Sequence, residues 1–195
     1  MEQLSLFDGV GNRKYLTPEE RVIFHTAAGG VGKERRAFGL MLYYTGCRIS
    51  EALNLEVRHI DYVGSCATFA TLKQNKPGVY RQVPLPSDYL RSLDDVFDLK
   101  LLQRKKGSDK QQRIWDWSRQ NGYLAIKEIM HLAELQGIQA TPKGLRHGFA
   151  IACLDKGIPL NMVQKWMGHA HITTTAIYAN ALGREERKLA ARLWN

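Results

Sequence analysis

ATFATLKQNKPGVYRQVPL, residues 67–85, decides the fold class, because here the chain changes its period. Ala67–Leu72 and Val79–Leu85 read as two short strands flanking the turn-rich QNKPG (74–78), and Pro84 and Pro86 close the second strand. On both sides of this pair apolar residues recur at helical spacing. Upstream, Thr17-Pro18-Glu19-Glu20 is a helix start, with Thr17 as N-cap, Pro18 at the first helical position and Glu20 closing a capping box. That helix should end near Gly29-Gly30. A second runs from Lys33 to Tyr44 until Gly46 breaks it, and Ile49, Ala52, Leu53 and Leu55 supply a short third. Downstream, Ser87-Asp88 caps a helix through Val96, and QRKKGSDKQQR (103–113) reads as a polar, basic, mobile loop. Further helices are expected over Ser118–Gln136, from Thr141-Pro142 to Lys156, from Pro159 to Gly168, around Tyr178, and over Arg184–Trp194. The expected fold is mainly α with a small antiparallel β-sheet. Residues 17–195 form its single domain and residues 1–16 a flexible N-terminal arm.

Composition narrows the partners. The 195 residues carry 28 Lys+Arg against 19 Asp+Glu, a net charge of +9. Such an excess favours a polyanion, because neutralising phosphates releases their counterions. Three cysteines without CxxC spacing read as reduced thiols. The N-terminal MEQLSLFDGV lacks the pattern of a secretory signal, and no apolar run is long enough to span a bilayer. A cytoplasmic protein without membrane contact is expected.

Three segments concentrate groups suited to phosphate chemistry. TGCRISEAL (45–53) puts Arg48 just after the glycine break and Glu51 one turn on, where it can hold the guanidinium as a fork for phosphate oxygens. The same spacing also suits a purely structural ion pair. TPKGLRHGFA (141–150) packs Lys143, Arg146 and His147 into the first turns of a helix, where cations are disfavoured unless an anion offsets them. MGHAHITTTAIY (167–178) places His169 after a helix-ending glycine and Tyr178 nine residues on. His169 and His171 alone make a weak metal site, since no further ligand follows at suitable spacing. Together the groups suit a tyrosine attacking a phosphodiester. Two arginines would neutralise the extra charge of the pentacoordinate transition state, and a lysine would protonate the departing 5′ oxygen.

With those residues in view, the chain resembles the catalytic domain of the tyrosine recombinases, the phage integrase family of site-specific DNA recombinases. The resemblance rests on YYTGCRISEALNLEVRHID, the strand pair ending VPLP, TPKGLRHGFA and MVQKWMGHAHITTTAIYAN, which occur in the family's order. It implies that Arg48 and Arg146 are the catalytic arginines, Glu51 and His147 supporting residues, and His169 a hydrogen-bond donor to the scissile phosphate. Tyr178 would be the nucleophile that forms a 3′-phosphotyrosine. The general acid would lie in the turn between the strands; Lys76, eight residues before Pro84, fits better than the alternative, Lys73. Lys143 would be a further catalytic residue, a cationic phosphate ligand standing where the family usually has histidine, which leaves open which group deprotonates Tyr178.

The resemblance further implies double-stranded DNA as partner, a homo-oligomer (a tetramer on synapsed sites) and accessory DNA-bending proteins. It implies no cofactor, no metal and no ATP, and a bacterial, nucleoid-associated setting in a mobile element. Residues 1–16 are too short for the family's DNA-clamping domain, which suggests either an excised catalytic domain or a short recombinase like the fimbrial-switch invertases. Two other readings remain: a DNA-binding regulator without catalysis, and an enzyme of type IB topoisomerase chemistry.

Overall fold

The computed structural model describes residues 5–71, 79–105, 107–179 and 194. Helix α1 (Pro18–Ala27) begins at the anticipated capping box, in which Thr17 and Glu20 bond each other's backbone N–H groups. Helix α2 (Lys33–Thr45) lies centrally, packed against α4 (Ser87–Phe97), α6 (Arg119–Leu132) and α7 (Pro142–Asp155). Its Phe38, Met41 and Leu42 are buried among Phe24, Trp115, Ile126 and Ile129 of the main core. Gly46 ends α2 with φ +60°, a left-handed cap that donates its N–H back to Leu42. Three residues later the short α3 (Ile49–Leu53) starts.

The sheet has three antiparallel strands in the order β1 (Ile60–Asp61), β2 (Cys66–Ala70), β3 (Tyr80–Pro84). Ala67 pairs with Ile60 on one side and Val83 on the other, and Phe69 faces Arg81 across the second ladder. Strand β1 escapes the sequence reading because two residues are too few to display a period. In β3 the alternation buries Arg81 and Val83 and exposes Tyr80 and Gln82.

Other expectations need correction. Residues 103–113 are not a structureless loop: α5 (Leu99–Arg104) extends into them and a 3₁₀ turn covers Ser108–Gln111. The Gln103 amide donates to the carbonyls of Val57 and Ile60, and Val57 N–H to the Gln112 carbonyl, fastening the segment to the body. Helix α4 is capped from Pro86 rather than from Ser87-Asp88. Helix α6 stops at Leu132 rather than Gln136, and its Leu124 and Leu132 are exposed. The supposedly loose arm is packed at Leu6 and Leu16, both buried. The helix expected over 184–194 lies outside the described residues, Trp194 excepted. No helix among the described residues is long and apolar enough to cross a membrane.

The last described elements are α8 (Leu160–Met167), closed by Gly168 at φ +65°, and the single turn α9 (Thr173–Ala176). Tyr178 follows α9 instead of lying within a helix. It joins Leu6, Phe149, Ile151, Val163 and Met167 in a second, smaller core.

Candidate active site

Glu51 is where the site converges. It sits in the first turn of α3, its side chain wholly buried, and accepts the backbone N–H of Arg48 at 2.8 Å. Its Oε1 also takes Nη1 of Arg48 at 2.7 Å, so the anticipated Arg48–Glu51 pair forms. From β3, Arg81 grips the same carboxylate with Nη2 on Oε2 at 2.7 Å and Nη1 on Oε1 at 3.3 Å. From α7, Nη1 of Arg146 approaches Oε2 to 3.9 Å. Burial alone would push the Glu51 carboxyl up; the Arg81 and Arg146 charges and the bonds from Arg81 and Arg48 outweigh it and hold it below the usual carboxylate range.

Arg146 is held by two helix ends. Its Nη1 donates to the carbonyl of Gly46, the cap of α2, at 2.6 Å, and Nη2 to that of Met167, the last residue of α8, at 2.7 Å. Helix C-termini carry partial negative charge, so this buried cation is set where backbone dipoles favour it. Burial, seconded by the Arg48 charge, still lowers its pKa to about 10, so the group stays protonated at neutral pH. Nη2 also meets His169 Nε2 at 3.2 Å. A guanidinium only donates, so Nε2 carries the lone pair and Nδ1 the proton, which goes to the Thr175 hydroxyl at 3.0 Å. Burial, then the charges of Arg146 and Arg48, depress the His169 pKa to about 3.

Tyr178 is wholly buried, its ring stacked on His169 at 6.3 Å between centroids. Its hydroxyl meets His147 Nδ1 at 2.8 Å. The phenol is the better donor, which leaves the ring proton of His147 on Nε2, a buried atom without a partner among the described residues. Burial lifts the Tyr178 pKa to about 12 against the pull of Arg146 and Arg48. Burial, then Lys143, Arg146 and Lys14, drops that of His147 to about 4.

The structure therefore assembles Arg48, Glu51, Arg146, His147, His169 and Tyr178 at one place, from α3, α7 and the segment after α8. Lys143 stands apart from the buried set: it is exposed and helps line an open cavity of about 530 Å³ with Lys14, Arg119 and Tyr123. Lys73 and Lys76 lie outside the described residues. Sequence reasoning missed Arg81 and Thr175. The signal for Arg81 was its place in line with Val83 and Leu85 on the inward face of an alternating strand. Among the described residues no group of three or more His, Cys, Asp or Glu could hold a metal ion.

Comparison with known proteins matches this geometry to a family. The family model described as "Phage integrase family" covers residues 14–184. Tyrosine recombinase XerA of Pyrococcus furiosus is 32% identical over 165 residues, which is 80% of this chain and 54% of that protein. Tyrosine recombinase XerD of Mycobacterium tuberculosis (strain H37Rv) is 33% identical over 185 residues, 91% of this chain and 54% of that one. The chain thus spans about half the length of these relatives. Among solved structures, XerA recombinase superposes with a TM-score of 0.72 at 26% identity, covering 91% of this chain and 64% of the other. The catalytic domain of bacteriophage HP1 integrase shares the fold at a TM-score of 0.60 and 21% identity, over 85% and 86% of the two chains. With a match that runs through nearly the whole of α1 to α9, the chain belongs to the phage integrase family.

Proposed function

We propose that residues 17–195 are the strand-transferring domain of a site-specific DNA recombinase acting through a covalent 3′-phosphotyrosine. The observation that carries this is the convergence of Arg48 and Arg146 on Glu51, 2.7 and 3.9 Å away, with His169 and Tyr178 immediately behind Arg146. Two fixed guanidinium groups beside a phenol suit a phosphodiester that gains negative charge in its transition state. The names of the relatives, tyrosine recombinases, point the same way.

In the proposed step the Tyr178 oxygen forms a bond to phosphorus while the bond to the 5′ oxygen breaks. The phenolic proton leaves to a base, and the departing oxygen takes one from a lysine of the β2–β3 turn, Lys76 in preference to Lys73. Lys143 and Arg119 on the open face hold flanking phosphates. The phosphotyrosine conserves the energy of the bond, so attack by another 5′ hydroxyl reseals DNA without ATP or metal. In the free chain the phenol is buried against His147, so the segment from Thr173 to Ala179 must shift as DNA binds. An arriving phosphate draws Arg146 away from His169 Nε2, and its charge favours the protonated ring that can donate to it. Double-stranded DNA as partner agrees with the net charge of +9. Synapsis of two sites calls for an oligomer, with bending proteins as helpers, and the work is done on the nucleoid.

The test is covalent trapping on a pool of nicked duplexes from which the cleaved fragment diffuses away, read on a denaturing gel without metal or ATP. A protein–DNA adduct that disappears in Tyr178→Phe and in Arg146→Ala is expected, and the trapped DNA reveals the target. Salt-sensitive binding with no adduct from the wild type would overturn the reading in favour of a regulator. Relaxation of supercoiled DNA without a specific site would favour topoisomerase chemistry.

A further inference from the structure

Glu51 poses an electrostatic problem for the site it organises. A buried carboxylate 2.7 Å from Arg48 and 3.9 Å from Arg146 would cancel part of the charge that a phosphate needs. A third arginine, Arg81, stands on the other side of that carboxylate, its side chain only 4% exposed against 28% for Arg48. We propose that Arg81 is a positioning residue for phosphoryl transfer: it takes up the charge of Glu51, so that Arg48 and Arg146 face the phosphate with their two charges uncompensated. The inference rests on the recombinase reading and deepens it.

Charge counting supports the assignment. A phosphodiester carries one negative charge and its pentacoordinate transition state two. In the cluster gathered on Glu51, three guanidinium groups and one carboxylate leave a net charge of two, and without Arg81 only one, so Arg81 restores to this cluster the charge that its carboxylate removes; the other cations of the site add theirs in either case. Charge matched to the transition state alone is what accelerates a reaction. Arg81 turns inward from β3 with its guanidinium engaged by Glu51 and the Trp166 carbonyl and 5.1 Å from the Phe69 ring centre, which suits a positioning role rather than substrate contact.

Its remaining donors tie neighbouring segments together. Nε donates to the Trp166 carbonyl at 2.7 Å, and Nη1 lies 3.4 Å from the hydroxyl of Thr71, two residues before Lys73 in sequence. A Cβ at Gly168 would come within 3.0 Å of Arg81 Nη1, so the cap of α8 closes directly over the guanidinium. His169 is the next residue. One side chain thus holds Glu51, Thr71 and the Trp166 carbonyl three residues before His169.

The experiment measures single-turnover adduct formation on the trapped target for wild type, Arg81→Met, Arg81→Lys, Glu51→Gln and the pair Arg81→Met/Glu51→Gln. Thermal unfolding establishes that each variant is folded. Arg81→Met is expected to lower the cleavage rate about 100-fold with DNA affinity nearly unchanged. Removing Glu51 as well restores the net charge of two, so the pair should recover at least about tenfold over Arg81→Met alone, a non-additivity that a merely structural role would not give. A methylphosphonate at the scissile position removes one substrate charge and should shrink the Arg81→Met penalty about tenfold. Arg81→Lys keeps the charge, so whatever deficit it has should be the same on both substrates; this decides the matter if Arg81→Met does not fold. Additive effects, equal penalties on both substrates for Arg81→Met, or a charge-dependent deficit in Arg81→Lys would overturn the proposal.

A DNA-free arm separates this from failure of the recombinase reading. If the wild type traps no DNA, that reading falls, and sulfate decides on Arg81. At matched ionic strength against chloride, sulfate should raise the thermal midpoint of wild type and of the pair more than that of Arg81→Met. An equal response in all three would overturn the assignment.

Discussion

The contact between His147 and Tyr178 invites the reading that His147 is the base, and the structure argues against it. The phenol's pKa stands at about 12 and the imidazole's at about 4. Burial pushes the phenol up and the imidazole down, so proton transfer from Tyr178 to His147 runs uphill in this arrangement. The 2.8 Å bond therefore acts as a restraint on the phenol rather than as a path for its proton. Two substitutions separate the roles. His147→Asn places an oxygen near the position of Nδ1, keeping the acceptor while removing the base. His147→Leu removes the acceptor and, with it, the unpartnered Nε2. A neutral hydrogen bond contributes about 0.5–1.5 kcal/mol, so releasing the phenol should speed adduct formation by about two- to tenfold in His147→Leu. His147→Asn should stay within about threefold of wild type by the same reasoning. The assay is single-turnover trapping on nicked duplex, with urea unfolding to verify stability and nitration by tetranitromethane to report how exposed Tyr178 has become. A fall of about 10²–10⁴ in both folded variants, the usual deficit for a lost general base, would refute the argument and make His147 the proton acceptor.

The same depressed histidines predict the acid limb of stability. His147 and His169 titrate at about 4 and about 3 in the fold, against an unperturbed 6.5. The unfolded chain then binds more protons, so their contribution is complete above pH 6.5 and is lost as pH falls towards 4 and then 3. For His147 the loss is about 3 kcal/mol, and His147→Asn should flatten the decline of the unfolding free energy, measured in urea between pH 6.5 and 4, by that amount; an unchanged slope would contradict the assigned burial. Glu51 adds a loss of the same sign at lower pH, since its carboxyl is held below its ordinary value. Gly144→Ala should destabilise despite improving helix propensity. A Cβ there would lie 1.9 Å from the Gln139 carbonyl oxygen. Forcing the start of α7 outward should cost about 1–3 kcal/mol, against a propensity gain of about 1 kcal/mol, and a higher urea midpoint in the variant would contradict the close approach.

Much of this was legible where local chemistry decides the outcome. The capping box at Thr17–Glu20, the glycine stops at Gly46 and Gly168, and the i,i+3 pair of Arg48 and Glu51 need only neighbours in sequence. The rest depends on partners far along the chain. Helix α1 buries Arg21 and leaves Val22 and Ile23 61% and 47% exposed, the reverse of what hydropathy implies. Arg21 is drawn inward because its guanidinium donates to the carbonyls of Leu145 and Tyr43 and rests 4.2 Å from the Tyr43 ring centre. Arg81 is turned in by Glu51, thirty residues upstream, and by the Trp166 carbonyl. Tyr178 was recognisable as a reactive candidate, but its contact with His147 arises only when α7 and the segment after α8 close on one another.

The two glycine stops explain why this site is built from backbone as much as from side chains. Each ends a helix in a left-handed turn, and each leaves a carbonyl pointing into the space between α2, α7 and α8: Gly46 its own, and Gly168 that of Met167 just before it. Arg146 occupies both. Carboxylates in place of those carbonyls would bring full negative charges, and these would compete with the phosphate as Glu51 would without Arg81. Helix-end carbonyls hold the cation with partial charges only, and their positions are fixed by α2 and α8. Arg146 is thus kept ionised and oriented without being neutralised. Under the proposed strand-transfer reaction, a donor that meets charge developing on phosphorus needs that combination, because it has no reorganisation left to do when the charge appears.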